Sequence, residues 1–160
     1  MKECYLTTVW HTGTKYFKAG LEKNYRVAYS HLNRAVINQL PNYDKIYVTY
    51  RDPLRVAASW ANRGHFSKLN NSFNYMRWDE QWSHYKLALE FNPIVLDFTK
   101  GRIQDGVDFG SKIINQHVDK NKLHQELDSG NLDYLYRFIP KKHIDHAIEC
   151  CGDLYKETIN

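Results

Sequence analysis

Short runs rich in Tyr, Thr, Val and Ile alternate along this chain with stretches whose apolar residues recur every three or four positions. Residues 4–10 ("CYLTTVW") suit a strand, residues 14–23 have helix-compatible composition, and residues 25–30 ("YRVAYS") suit a second strand. Ala35, Val36, Ile37 and Leu40 predict a short helix over 33–40, closed by Pro41. "KIYVTY" at 45–50 is the clearest strand. Asp52-Pro53 then opens a helix, with Asp as N-cap and Pro at the first helical position, running to about Arg63 before Gly64. Residues 65–72 are polar and Asn-rich, a surface loop. A long helix is expected over 73–91, with Tyr75, Trp78, Trp82, Tyr85 and Leu89 on one face. "PIVLDF" at 93–98 reads as a strand, 107–117 as a helix, and 121–160 as helical with breaks at Gly130 and Pro140. Strands alternating with helices predict an α/β fold, three layers with a central parallel sheet.

Composition narrows this picture without changing it. A length of 160 residues suits one domain over 1–160, and 42% hydrophobic with 25% charged residues is ordinary for a globular chain. No apolar run approaches the eighteen or so residues of a membrane span, and the start, "MKECY", lacks the apolar core of a secretory signal. A cytoplasmic protein with no membrane partner is expected. Cys4 is isolated and Cys150 adjoins Cys151, so reduced thiols are expected rather than a disulfide framework or a metal site. The net charge of +4 suits an anionic ligand. Lys and Arg are scattered, which argues against nucleic acid. Oligomeric state is not legible.

Candidate chemistry begins at "VWHTGTKYF", residues 9–17. A strand entering a glycine turn that opens a helix directs backbone N–H groups and the positive helix end at one point, which suits a phosphate. The turn is not a Walker A loop: the first glycine is absent, and Lys15 lies two places after Gly13 rather than next to it. Tyr16 follows Lys15 where a magnesium-binding Ser or Thr would stand, which weakens an ATP-dependent kinase-like reading.

A second motif changes what the first implies. In "KIYVTYRDPLRVAASW" a strand ends in Arg51, a helix begins at Pro53, and Ser59 lies eight residues after the arginine. This resembles the 3′-phosphate-binding segment of the sulfotransferases that use 3′-phosphoadenosine 5′-phosphosulfate (PAPS). "HTGTKYF" is similar to that family's 5′-phosphosulfate loop, P-K-S-G-T-T-W, with Gly13 and Thr14 on its G-T. "YSHLNRAVINQLPNYDKIYVTYRDP" is similar to the T-H-L-P segment that precedes the 3′-phosphate motif, with His31 on the family's catalytic base. The three matches fall in the family's order. Two family lysines are replaced, by His11 in the loop and by Tyr29 before His31.

The resemblance implies sulfonate transfer from PAPS to a hydroxyl or amine, with no metal required. Thr12, Gly13, Thr14, Lys15 and Tyr16 would hold the 5′ end, and Arg51, Ser59 and Arg63 the 3′-phosphate. His31 would take the acceptor's proton, being at the carboxyl edge of the sheet with an ordinary pKa of about 6.5. Lys15 or protonated His11 would stabilise the leaving oxygen. The acceptor is expected to be a small molecule or a saccharide end. A relative that binds the nucleotide without turnover is the alternative, since the two family lysines are missing.

Overall fold

In a computed structural model, residues 1–10, 12–66, 72–98 and 117–159 are described. Four strands form one parallel sheet: β1 (Lys2–Thr8), β2 (Tyr25–His31), β3 (Ile46–Tyr50) and β4 (Ile94–Asp97), in the order β2-β1-β3-β4. The inner strands are the buried ones. The last five residues of β1 and the last four of β3 are all buried, as two-sided burial in a parallel sheet demands, whereas β2 and β4 on the edges are at most half-buried. Strand β1 starts two residues earlier than its apolar pattern predicts, because Lys2 and Glu3 pair with Tyr25 and Arg26. It also ends two residues earlier, which releases Val9 and Trp10 into the following turn.

Two apolar clusters lie against the sheet. Cys4, Leu6 and Tyr47 pack with Phe17 and Leu21 of α1 (Thr14–Leu21). Tyr5, Val9, Val48 and Tyr50 join the larger cluster, built with α2 (Arg34–Gln39), α3 (Pro53–Asn62), α4 (Ser72–Leu89), α5 (Lys120–Ser129), α6 (Lys141–Cys151) and α7 (Asp153–Ile159). Because side chains alternate along a strand, Cys4 and Leu6 face one way and Tyr5 and Val9 the other.

Local signals set the helix ends. Asn33 Oδ1 accepts the Val36 N–H at 3.0 Å, and Pro41 converts the end of α2 into a 3₁₀ turn at Leu40–Asn42. Asp52 Oδ1 accepts the Leu54 N–H at 2.9 Å, and Pro53 supplies the first residue of α3. Residues from Val56 to Asn62 in α3 are all buried, so the helix that follows Arg51 runs through the core rather than over it. The aromatic stripe of α4 is core: Trp78, Trp82 and Tyr85 are fully buried. Burying each such ring contributes roughly 2–3 kcal/mol.

The C-terminal region is less regular than the expectation for 121–160. Gly130 caps α5 with φ 80°, Leu135–Arg137 form a 3₁₀ turn, and Pro140 precedes α6, as those two breaks foretold; a third break at Gly152 (φ 56°) separates α6 from α7. The predicted helix at 107–117 lies outside the described residues except for His117, which is in a turn. No helix among the described residues is long and apolar enough to cross a membrane. Cys4, Cys150 and Cys151 are free and buried.

Candidate functional site at the carboxyl edge of the sheet

From β1 the chain passes to β2 on one side, and from β3 to β4 on the other, so the connections diverge between β1 and β3. Such a point leaves a crevice beyond the carboxyl ends of the two strands, where α/β folds bind ligands. The turn after β1 carries Thr12 and Gly13, and the turn after β3 carries Arg51.

The β1 turn is fixed by its neighbours. Thr12 Oγ1 donates to the Val9 carbonyl at 2.6 Å and shares a hydrogen bond with Thr49 Oγ1 of β3 at 2.5 Å. The Trp10 N–H donates to Gln81 Oε1 of α4 at 3.0 Å, and Trp60 Nε1 of α3 donates to the Trp10 carbonyl at 3.1 Å. Gly13 then turns the chain with φ 86°, a left-handed conformation that glycine adopts without strain. A Cβ at Gly13 would lie 2.5 Å from Cδ2 of Phe98, so the position needs glycine twice over.

Gly13 is the N-cap of α1 and offers no side-chain cap. Its carbonyl accepts the Phe17 N–H at 3.1 Å, and the amides of Thr14 and Lys15 are first-turn donors that have no carbonyl four residues back within the helix. Thr14 Oγ1 is buried and has no hydrogen-bond partner among the described residues. Beneath the turn, the Phe98 ring stands 5.2 Å from the Arg51 guanidinium carbon, so Gly13 and Arg51 meet on one aromatic ring. Arg51 is 1% exposed, and Ser59 is fully buried with an Oγ lacking any hydrogen-bond partner among the described residues. Arg63 follows the last residue of α3, donating its N–H to the Ser59 carbonyl at 3.1 Å, and burial lowers its guanidinium pKa.

His31 sits on the other side of β1, in register with Thr8, whose Oγ1 lies 3.0 Å from Nδ1. Burial depresses its pKa to about 4; a backbone hydrogen bond with Thr8 pulls it up, and the Arg77 charge pushes it down. With Nδ1 against the Thr8 hydroxyl, Nε2 is the ring nitrogen that faces other partners. The value of 6.5 expected for an ordinary histidine is thus corrected downward, because desolvation outweighs the backbone hydrogen bond.

The sequence-derived set divides accordingly. Gly13, Thr14 and Arg51 gather around the crevice, and Ser59 and Arg63 lie on the helix that leaves it. The Thr12 hydroxyl is spent on holding the turn to β3, so it braces the site and has no spare proton to offer a ligand. Lys15 and Tyr16 are exposed on α1. A groove of about 500 Å³ beside α1 includes Tyr16 and Leu96, away from Arg51 and His31. His11, like Lys100 and Gly101, lies outside the described residues. Tyr29, where the family has a lysine, is half-exposed, with Lys18 Nζ 4.7 Å from its ring centre.

Phe98, Thr49, Trp10, His65 and Arg77 were not anticipated. An aromatic ending the "IVLDF" strand was the available signal for Phe98; the others come from turns and helix faces whose convergence no spacing reveals. No metal-binding group of three or more His, Cys, Asp or Glu side chains occurs among the described residues. No protein-family model, curated protein or solved structure matches the chain.

Proposed function

We propose that this chain is a PAPS-dependent sulfotransferase of three-layer α/β/α architecture, acting in the cytoplasm on a hydroxyl or amine of a small molecule or saccharide, with no metal required. The observation that carries the reading is the meeting of the Gly13 turn and Arg51 on Phe98 at the point where the strand connections diverge. PAPS presents two separated anions, and this crevice offers two kinds of anion donor. The first-turn amides of Thr14 and Lys15, with the Thr14 hydroxyl, suit the 5′-phosphosulfate, making the turn P-loop-like, and the buried Arg51 with the Ser59 hydroxyl suits the 3′-phosphate. A buried hydroxyl without a partner costs free energy that a bound phosphate oxygen would recover.

In the reaction the acceptor oxygen attacks sulfur in line with the bond to the 5′-phosphate. His31 Nε2 takes the acceptor's proton, the sulfur–oxygen bond to the phosphate breaks, and 3′-phosphoadenosine 5′-phosphate leaves with the electron pair. With a pKa of about 4, His31 is neutral and able to accept a proton throughout the neutral range. Lys15 or protonated His11 would stabilise the leaving oxygen.

Exposure of Lys15 favours a second reading, a nucleotide-binding relative without turnover. Product formation from a labelled sulfonate donor separates the two. For the site itself, thermal shifts with 3′-phosphoadenosine 5′-phosphate, 5′-AMP and Mg·ATP are decisive, since a ligand at about 100 times its Kd stabilises by roughly 2.7 kcal/mol. Stabilisation by the 3′,5′-bisphosphate is expected, and Arg51→Ala should weaken it by about 2–4 kcal/mol while sparing 5′-AMP. Equal weakening of both, or stabilisation by Mg·ATP alone, would count against the reading.

A further inference from the structure

Beside the proposed nucleotide crevice, on the β2 flank of β1, one guanidinium and two imidazoles are assembled around Trp10. The Arg77 guanidinium carbon of α4 stands 3.7 Å from the centre of one Trp10 ring face and 5.5 Å from the Phe73 ring. The His31 and His65 rings lie 5.4 and 5.3 Å from the same indole. All four of Trp10, His31, His65 and Arg77 are half-buried, so each keeps some surface open to solvent.

Arg77 makes no ion pair among the described residues. A guanidinium stacked on an aromatic face keeps its in-plane N–H donors at the edge, in the fork that matches a two-oxygen anion. Its charge reaches both imidazoles: burial lowers His31 and His65 to about 4, and Arg77 pushes each further down, with Arg63 acting likewise on His65. One guanidinium and two imidazoles therefore converge on Trp10, and Arg77 has no carboxylate in ion-pair range among the described residues.

We propose that Arg77, held on Trp10 between His31 and His65, docks an oxyanion carried by the acceptor, so that this protein acts on acidic acceptors bearing a carboxylate, sulfate or phosphate close to the reacting hydroxyl. The inference rests on His31 as the base of the proposed sulfotransferase reaction, and it adds the substrate's charge class. It also gives the acceptor a part in its own activation. Burial is the main cause of the His31 depression, and an anion on Arg77 offsets the smaller part that the guanidinium adds, raising the basicity of the ring when the hydroxyl is in place.

Inorganic sulfate is the probe, because it stays dianionic across the pH range in which histidine titrates. The imidazole resonances of His31 and His65 are followed by NMR in the full chain, with 3′-phosphoadenosine 5′-phosphate present and absent, and with chloride at matched ionic strength. Sulfate should shift both resonances saturably and raise both midpoints by about one pH unit. In Arg77→Gln its affinity should fall at least tenfold, with partial recovery in Arg77→Lys, which keeps the charge and loses the fork. Equal responses in wild type and Arg77→Gln, or no difference between sulfate and chloride, would overturn the proposal. The bisphosphate arm reads the nucleotide site separately: sulfate binding that needs Arg77 without bisphosphate binding leaves the anion dock standing while PAPS chemistry falls, and the reverse result sinks the dock alone.

Discussion

Polar side chains gather in two parts of this molecule, and the two use them differently. Where α4 crosses α6, a half-buried set pairs off. His143 Nδ1 lies 2.9 Å from both Asp79 carboxylate oxygens, His146 Nε2 is 2.9 Å from Ser83 Oγ, the Trp78 indole donates to the His143 carbonyl at 2.9 Å, and Tyr75 donates to the Phe138 carbonyl at 2.7 Å. Around the carboxyl edge of the sheet and the helix that leaves it, the buried hydroxyls of Thr14 and Ser59 have no hydrogen-bond partner among the described residues, and the Arg77 guanidinium lies against the Trp10 and Phe73 rings. Serine, histidine and aspartate near one another do not make a site. Asp79 pairs with His143 while Ser83 pairs with His146, so the chain of contacts that activates a nucleophile is broken, and the arrangement is a helix clasp. Residue type alone marks no site, and unspent polar capacity counts here because it adjoins the Gly13 turn, since Trp82 Nε1 and Tyr85 Oη in the core also lack hydrogen-bond partners among the described residues.

The comparison breaks most severely at Gly13. Gly13→Ala forces a left-handed conformation on a residue with a Cβ and drives that Cβ into Phe98. Strain and displacement together should cost about 3–4 kcal/mol of unfolding free energy, and moving the ring away from Arg51 should abolish bisphosphate binding. Gly13→Ala combined with Phe98→Leu should recover part of the stability in denaturant titrations. No recovery would mean that Phe98 is not what the glycine accommodates.

Acid pH separates the two regions next. His31 and His65 each have a folded-state pKa of about 4 against an ordinary 6.5. The unfolded chain therefore takes up protons first as pH falls, so the stability these rings contribute is complete above about pH 6.5 and is lost on the way to pH 4. Discounted for rings that are only half-buried, the pair should cost on the order of 2 kcal/mol at pH 5 relative to pH 7. Replacing both by Gln should flatten the melting temperature between pH 7 and 5. An unchanged acid slope in that double variant would show that other groups drive it. In the proposed reaction, the acid limb of kcat/KM should likewise lie nearer pH 4–5 than 6.5 before an anionic acceptor is bound.

The α/β class was legible because β1, β3 and β4 are compact runs bounded by turn residues and because Asp52-Pro53 announces α3 without ambiguity. The site was legible only along the chain. Gly13, Arg51 and Ser59 carry local signals, a glycine turn and a strand-to-helix spacing, whereas Phe98, His65 and Arg77 acquire meaning from a sheet order that puts the ends of β1, β3 and β4 side by side. The depressed His31 was beyond reach for the same reason, since desolvation is set by residues far away in sequence. Thr12 shows the converse: its type fits a phosphate loop, yet Thr49 of β3 takes its hydroxyl.

On the clasp side, Asp79→Ala should destabilise by about 1–2 kcal/mol, since it leaves the 12%-exposed His143 side chain without its carboxylate. It should leave bisphosphate binding within twofold of wild type. A large loss of binding would connect the clasp to the site and erase the contrast between the regions.

Ser59→Ala is the smallest change and the sharpest discriminator, because the two readings of Ser59 predict opposite signs. If the hydroxyl served packing alone, removing it would leave ligand affinity untouched. Since Oγ is buried without a partner, alanine relieves an unmet desolvation cost and fills nearly the same space, so the free protein should gain up to about 1 kcal/mol. The bisphosphate, deprived of a donor to its 3′-phosphate, should bind roughly fivefold to tenfold more weakly, a loss of about 1 kcal/mol. Calorimetric titration and thermal melting of one variant read both numbers. A variant that is both more stable and weaker in binding fits a hydroxyl kept for a ligand, whereas a less stable variant with unchanged affinity would return Ser59 to the core and leave Arg51 and Arg63 as the side chains proposed for the 3′ end.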